Sequence, residues 1–322
     1  MSLSVVFMGT PEIAVPSLEA LLQHGFDVRA VVTRVDAPQG RGRQLAPPPV
    51  KVAALRHGLP IFQPEKLRTP EMREQLAALE PDFFVVMAYG KILAPSFLAL
   101  PRLAPINLHA SLLPRHRGAA PIQWAIIDGD AQTGISVMKM EAGLDTGPVY
   151  EQQALAIGEF ETSASLHDRL ATLAAQMLPG ALRRIAEGLQ AQPQDEALAT
   201  VARQLVKSDG AVDFDTGARA LCKRICGLTP WPGAFCQFRG QRTKLLGVRW
   251  QADAAAAGLE AGQLAGLEET ALRVATCDGW LLVDELQVEG RKAQSAAVFA
   301  AGYQPREDER LISLAQSPAE GM

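Results

Sequence analysis

The sequence predicts a doubly wound α/β domain with a parallel sheet, followed by a small, OB-like β-barrel domain. Two observations indicate this division. In the first part of the chain, short apolar runs alternate with helical segments, as they do when helices cover both faces of a parallel sheet. Near residue 190 the alternation stops at a polar stretch that contains Pro193, and the segments beyond it are shorter, with glycines between them. We therefore expect a first domain at residues 1–189, a linker at 190–206 and the β-barrel domain at 207–322.

The first strand, helix and second strand follow from the N-terminal residues. Residues 3–8 are an apolar run, a helical segment ends near Gln23, and residues 28–32 form a second apolar run. Pro11 suits the first turn of this helix, because its fixed φ fits a helix and its missing N–H would be unpaired there anyway. Gly25 suits the helix end. Strand, helix and strand together are the repeating unit of a parallel sheet.

The same alternation continues along the chain. In the first domain we predict further helices at residues 50–57, 70–80, 119–127 and 162–188, and further strands at 82–88, 106–109 and 135–140. In the second domain we predict strands at residues 234–238, 243–250, 272–276 and 280–288.

The charge is distributed unevenly in a composition that is otherwise globular. The 322 residues are 48% hydrophobic and carry a formal net charge of −4, which argues against a globally basic nucleic-acid binder. Residues 203–249 nevertheless contain nine basic and three acidic side chains, which leaves a local charge of +6. Such a segment predicts a surface that faces phosphates, and the alternative is a solvated strand surface.

The N-terminus and the cysteines bear on the cellular context. The sequence lacks the features of a secretory signal, and no apolar stretch reaches the roughly 18 residues that a membrane helix needs. We therefore expect a cytoplasmic protein without a membrane segment. A metal site is not expected, because the last third of the chain holds all the cysteines but no histidine: Cys222, Cys226, Cys236 and Cys277. Small buried hydrophobic side chains are the favoured interpretation of these cysteines.

The densest polar cluster lies in the segment NLHASLLPRHRGAAP, residues 107–121. If residues 106–109 form a strand, Asn107 and His109 point to one face and Leu108 to the other. Open α/β sheets bind their ligands at the carboxyl ends of the strands. The two polar side chains are therefore candidates for a ligand site.

A second cluster, GLDTGP, follows another predicted strand at residues 143–148. Glycines on both sides of Asp145 place its carboxylate on a turn of defined shape. The sheet can bring this carboxylate beside His109. Taken singly, an Asn-x-His pair is more often structural, and an aspartate between glycines is usually only a turn former.

An amide, an imidazole and a carboxylate together suit acyl transfer to an amine. Asn107 can donate to a developing oxyanion, a contact that lowers the barrier by about 3 kcal/mol in other acyl-transfer sites. His109 can donate to the same oxygen or take the amine proton, and Asp145 can orient His109 or accept a proton through water. The sequence has no G-x-S-x-G motif, so the nucleophile is expected to be the amine of the substrate.

These motifs resemble the signature of the folate-dependent formyltransferases. The likeness is carried by INLHASLLPRHRGAAPIQWAI and GLDTGPVY, and it extends to VVFMGTPEIAVPSLEALL, GRGRQLAPPPVKVAA, VVMAYGKIL, WPGAF and AGYQPREDERL. The resemblance implies 10-formyltetrahydrofolate as the formyl donor. It implies three catalytic residues and a four-residue folate-contacting segment: Asn107, His109 and Asp145, and Ser111, Leu112, Leu113 and Pro114.

Within that family, the chain is most similar to the members that act on charged tRNA. These members carry a basic loop at the place of residues 40–44, so the resemblance implies that Arg41 and Arg43 contact tRNA. Arg43 and Gln44 stand where the family often has a lysine pair. The implied activity is formylation of the α-amino group of initiator methionyl-tRNA for translation initiation, by a protein that we expect to be a monomer.

Three other interpretations stay open at this point. A folate-dependent enzyme could formylate a small amine, such as a ribonucleotide or an amino sugar, although it would not need the basic loop or the second domain. A non-enzymatic tRNA-binding protein could retain an inactive α/β domain. A dinucleotide dehydrogenase is the weakest of the three, because the turn at Gly9-Thr10-Pro11 is not G-x-G-x-x-G.

Overall fold

The computed structural model describes residues 2–39 and 44–314, which form two compact units. The first unit comprises the described residues up to Pro121, Thr133–Ala156 and His167–Ala202. The second comprises Ile122–Gln132, Ile157–Leu166 and the described residues from Arg203 onward.

The first unit contains β1 to β11, except for Gln132 at the start of β9. These strands are β1 (Ser4–Gly9), β2 (Asp27–Val32), β3 (Ala37–Gln39), β4 (Gln44–Ala46), β5 (Ile61–Phe62), β6 (Phe83–Met87), β7 (Ala104–His109), β8 (Arg117–Gly118), β9 (Gln132–Lys139), β10 (Val149–Ala156) and β11 (Val201–Ala202). Seven of them form the main sheet in the order β10-β9-β7-β6-β1-β2-β5. The chain moves outward from β1 through β2 to β5, then returns to β6 and β7 on the other side, which is the doubly wound topology.

The central strands confirm the predicted α/β class. β5, β2, β1, β6 and β7 run parallel, and β9 is antiparallel to β7. Every residue of β1 and of β6 is buried. Near-continuous burial is expected where helices cover both faces of a parallel strand.

The helices lie between these strands and in the second part of the chain. They are α1 (Val15–Gln23), α2 (Pro49–Arg56), α3 (Pro70–Ala77), α4 (Pro95–Leu98), α5 (Pro121–Ile127), α6 (Ser163–Ala186), α7 (Ala218–Leu228) and α8 (Ala296–Tyr303). In the part of the chain that the structure describes, none of them combines the length and apolar character needed to cross a bilayer.

Residues 190–202, predicted as part of a linker, are bound to the first unit. Val149 and Gln192 exchange two backbone hydrogen bonds of 2.8 Å. Further along, β11 pairs in parallel with β8. The polar composition of this segment therefore belongs to a stretch of chain that is hydrogen-bonded to the first unit, directly before the second unit begins at Arg203.

The second unit contains an antiparallel sheet, as the β-rich prediction required. Its strands are β12 (Ala234–Phe238), β13 (Gln241–Ala252), β14 (Leu264–Glu268), β15 (Ala271–Ala275), β16 (Gly279–Val288) and β17 (Gln294–Ser295). They lie in the order β12-β13-β16-β15-β14, with β17 beside β16.

An extended segment near residue 310 joins the two edges of this sheet. Ile312 exchanges backbone hydrogen bonds of 2.8 and 3.0 Å with Gln237 of β12. Three residues earlier, the carbonyl of Glu309 accepts a hydrogen bond of 2.9 Å from the N–H of Leu264 in β14. Residues 309–312 thereby connect the first and last strands, which closes the sheet into the predicted barrel.

The side chain of Glu309 fixes this closing segment by charge. Arg239 donates to its two carboxylate oxygens at 2.7 and 2.8 Å, and the N–H of Arg306 donates at 2.8 Å. These hydrogen bonds lower the pKa of Glu309 to about 2, and the hydrogen bond from Arg239 has the largest effect.

We expect Glu309→Gln to lower the free energy of unfolding modestly at pH 7, and this loss to shrink as the pH falls. A carboxyl with a lowered pKa in the folded state stabilises the fold above its unfolded pKa and loses that contribution as the pH approaches the folded value. Urea unfolding of both proteins between about pH 5 and pH 3 measures the change. Glu307→Gln, at an exposed neighbour, is the control. A loss that does not vary with pH would contradict this role of the carboxylate.

Candidate active site

Strand β7 places Asn107 and His109 on one face of the main sheet, as the alternation of a strand requires. Asn107 is half-buried and lies between Val86 of β6 and Met138 of β9. Leu108, on the other face, is buried. The sheet therefore holds the amide and the imidazole side by side on rigid backbone.

Both ring nitrogens of His109 face acceptor oxygens. Nε2 donates to the carbonyl of His116 at 2.9 Å, and Nδ1 lies 3.6 Å from Oδ2 of Asp145. Because a carbonyl only accepts, the hydrogen of the neutral ring is on Nε2 and the lone pair is on Nδ1. The ring is 6% exposed. A proton taken up at Nδ1 would therefore lie next to a carboxylate.

The carboxylate of Asp145 contacts Asn107 and lies close to His109, the other two predicted catalytic residues. Its Oδ2 accepts a hydrogen bond of 2.9 Å from the N–H of Gly118. Its Oδ1 accepts a longer one of 3.4 Å from the Asn107 amide. The structure thus brings Asn107, His109 and Asp145 together, although Asp145 is 38 residues from Asn107 in the sequence.

The four residues predicted to contact folate follow β7 after Ala110. Ser111 and Leu113 are buried, whereas Leu112 and Pro114 are half-buried. The structure therefore leaves apolar side-chain surface at alternate positions of this segment, and the two buried residues fix its path.

Ser136 and Gln152 hold that segment in place, and neither residue belongs to a motif that the sequence displays. The hydroxyl of Ser136 donates to the carbonyl of Ser111 at 2.6 Å and accepts from the N–H of Leu113 at 3.0 Å. The amide of Gln152 donates to Ser136 and to the carbonyl of Leu113, at 2.8 Å in each case. The only sequence signal is a serine inside the apolar run of β9.

Two further predictions from the sequence concern the tRNA contacts and metal binding. Arg41 and Arg43, the predicted tRNA contacts, lie outside the described residues, between the paired strands β3 and β4. Within the described ranges, no group of three or more His, Cys, Asp or Glu side chains is arranged to hold a metal ion.

The +6 segment at residues 203–249 is largely neutralised within the second unit. Carboxylates form ion pairs with five of its nine basic residues: Arg203, Arg219, Lys223, Arg239 and Arg249. Three of these carboxylates, on Glu159, Asp284 and Glu309, come from outside the segment. Counting charges along the sequence therefore overestimates the positive surface.

Comparison with known proteins decides the family. Residues 2–182 match the formyl transferase family, and residues 204–304 match its C-terminal domain. A methionyl-tRNA formyltransferase from Geobacter metallireducens is 45% identical over 301 residues, covering 93% of this chain and 96% of that protein. Another from Koribacter versatilis is 47% identical over 312 residues, covering 96% and 99%. The chain belongs to the methionyl-tRNA formyltransferase family. This confirms the resemblance found in the sequence motifs.

Two solved structures share the fold of this methionyl-tRNA formyltransferase family member. WlaRD, a sugar 3N-formyl transferase solved with dTDP and 5-N-formyl-THF, aligns with a TM-score of 0.68 at 14% identity over 91% of this chain and 100% of that chain. HypX from Aquifex aeolicus in complex with tetrahydrofolic acid aligns with a TM-score of 0.61 at 13% identity over 99% of this chain and 50% of that chain. At these identities the likeness establishes the fold alone.

Proposed function

We propose that this chain transfers the formyl group of 10-formyltetrahydrofolate to the α-amino group of initiator methionyl-tRNA, in the cytoplasm, for translation initiation. Relatives that are 45% and 47% identical over nearly the whole chain are named for methionyl-tRNA formylation. The observation that carries the proposal is the convergence of Asn107, His109 and Asp145 on one face of β7. A reduced folate as donor is further supported by HypX, which shares the fold and was solved with tetrahydrofolic acid.

Asn107 is suited to stabilise negative charge on the formyl oxygen. When bound, the folate supplies an electrophilic formyl carbon, and the methionyl amine supplies the nucleophile. The Asn107 amide is half-buried and its bond to Asp145 is long, at 3.4 Å, so it can donate to a substrate oxygen. A donor held by a strand needs no reorganisation as charge develops, which makes its stabilisation effective.

His109 and Asp145 are suited to move the proton that the amine loses. The lone pair on Nδ1 of the neutral ring can accept this proton, and the carboxylate of Asp145 3.6 Å away then stabilises the imidazolium. The N–H of Gly118 fixes the orientation of that carboxylate. The protonated ring can return the proton to the departing nitrogen.

The segment Ser111 to Pro114 is the proposed folate contact. Leu112 and Pro114 offer apolar surface that suits a flat pterin ring, because both side chains are half-buried. Ser111 and Leu113 contribute by fixing the backbone through Ser136.

We propose two regions as tRNA contacts, the segment of the sequence that contains Arg41 and Arg43 and the outer face of β13. Arg242 and Lys244 are exposed on that face, because the intervening Thr243 is buried. Among the described residues, neither cation is paired with a carboxylate. The guanidinium of Arg242 is placed over the ring of Phe235, 3.5 Å from its centroid. Such cations suit contacts to the phosphates of an acceptor arm.

Replacing both Arg242 and Lys244 with alanine is expected to raise KM for methionyl-tRNA about tenfold. The slope of log KM against log salt concentration should fall by the amount expected for the loss of about two phosphate contacts. The KM for the folate and the kcat at saturating tRNA should stay near their wild-type values. Steady-state kinetics at several salt concentrations provides the measurement. Arg249→Ala is the matched control, because Arg249 is already paired with Asp284. An unchanged KM for tRNA at low salt would exclude this surface.

The proposed activity is tested directly by formyl transfer from 10-formyltetrahydrofolate. Initiator methionyl-tRNA should be formylated rapidly, elongator methionyl-tRNA much more slowly, and a ribonucleotide amine or an amino sugar not at all. Faster formylation of one of the small amines would overturn the proposal and support the small-amine alternative.

A further inference from the structure

The loop that carries Asp145 adopts a backbone conformation that needs external support. Asp145 has a φ of +55°, in the left-handed region that residues other than glycine seldom occupy. His116, whose carbonyl accepts from His109, has a φ of +57°. The backbone around both partners of the imidazole therefore depends on contacts from elsewhere in the unit.

Gln194 makes such contacts to the Asp145 loop. The two hydrogens of its amide nitrogen are donated to the carbonyls of Asp145 and Gly147, at 2.8 and 2.7 Å. Its amide oxygen accepts from Nε and Nη2 of Arg117 at 3.0 and 2.8 Å. The amide thus uses both donors and both acceptor positions, so only one orientation satisfies all its partners.

The Arg117 guanidinium is itself fixed by Glu196. Nη1 and Nη2 of Arg117 donate to the two carboxylate oxygens of Glu196 at 2.8 Å each. This contact is the main cause that raises the pKa of Arg117 and lowers that of Glu196. The Arg117 side chain is 9% exposed, so the fork that holds Gln194 has little freedom to move.

Thr200 supports the other side of the imidazole. Its Oγ1 accepts a hydrogen bond of 2.8 Å from the N–H of His116. The carbonyl of His116 in turn accepts a hydrogen bond of 2.9 Å from Nε2 of His109. One short stretch, residues 194–200, therefore contacts both the Asp145 loop and His116, the residue that accepts from His109.

We propose that Gln194 and Thr200 are positioning residues for formyl transfer, Gln194 acting through Asp145 and Thr200 acting through His109. The inference rests on the proposed function of Asn107, His109 and Asp145. It assigns a role in the reaction to a segment whose sequence predicts only a linker. Neither side chain needs to touch the substrates, because each sets the place of a group that does.

The first test compares Gln194→Ala and Gln194→Glu with the wild type in formylation of initiator methionyl-tRNA. Glutamate keeps acceptors for Arg117 but cannot donate to the two loop carbonyls. Both variants are expected to lose about 10–100-fold in kcat, as misplacement of a reacting group does. KM for both substrates should change less than threefold and Tm by only a few degrees. Gln192→Ala, with an exposed side chain in the same segment, is the matched control and should behave as the wild type.

The second test uses double variants, in which each substitution is combined with alanine at the catalytic residue through which it is proposed to act. Gln194→Ala should lower the single-turnover rate less than twofold in Asp145→Ala. Thr200→Val should lower it about tenfold in the wild type but less than twofold in His109→Ala. Full losses that persist in these backgrounds, or kcat values near wild type in both Gln194 variants, would overturn the inference. An inactive wild-type enzyme would instead refute the proposed function, so the two failures are distinguishable.

Discussion

His109→Ala is expected to lower kcat for formylation of initiator methionyl-tRNA about 1,000-fold, within the range that a positioned acid–base group contributes. The variant lacks the nitrogen that faces Asp145 at 3.6 Å and that we propose takes the amine proton. KM for tRNA should change little, because the proposed tRNA contacts lie on other segments. Single-turnover formylation with saturating folate isolates the chemical step from product release.

The fold of the variant has to be checked, because His109 is buried and its Nε2 bonds to the carbonyl of His116. Circular dichroism and Tm provide that check. His57→Ala is the control for removal of an imidazole elsewhere, since His57 is exposed just beyond the end of α2 and pairs with Glu19 instead. A folded His109→Ala enzyme with turnover within tenfold of the wild type would show that the proton is handled elsewhere.

The sequence predicts the main sheet well because its signal is local. The central strands β1 and β6 are buried along their whole length, and such strands are continuous apolar runs in the sequence. Strand β10 at the sheet edge is missed for the opposite reason. Four of its eight residues are exposed, and VYEQQALA shows neither a continuous apolar run nor strict alternation.

The candidate site is predictable only where a motif carries it. Asn107 and His109 share a strand face, and two glycines mark the turn of Asp145. Gln194 has no such mark, because its role depends on a contact with a residue 49 positions away. The same limit applies to charge, since Glu309 neutralises Arg239 from 70 positions away. Long-range pairing of polar side chains requires the fold.

Asn107→Ala is expected to lower kcat about 100- to 1,000-fold, the loss seen when an oxyanion donor is removed. Asn107→Asp should be the more severe change, although it is nearly isosteric. It replaces a donor by acceptor oxygens and sets a second carboxylate about as close to Asp145 as the amide is now, 3.4 Å. Two carboxylates so close repel each other, and an acceptor pointed at the formyl oxygen opposes the charge that develops there.

The order of the two Asn107 variants distinguishes donation from simple space filling. If Asn107 only fills space beside Asp145, aspartate should retain more activity than alanine. If its amide donates to the formyl oxygen, alanine should retain more, since it removes the donor without adding repulsion. Folate affinity, measured separately by fluorescence quenching, should stay within a few fold in Asn107→Ala, because the proposed folate contacts lie at Leu112 and Pro114. An aspartate variant more active than the alanine variant would therefore exclude Asn107 as the oxyanion donor, even if both rates fall.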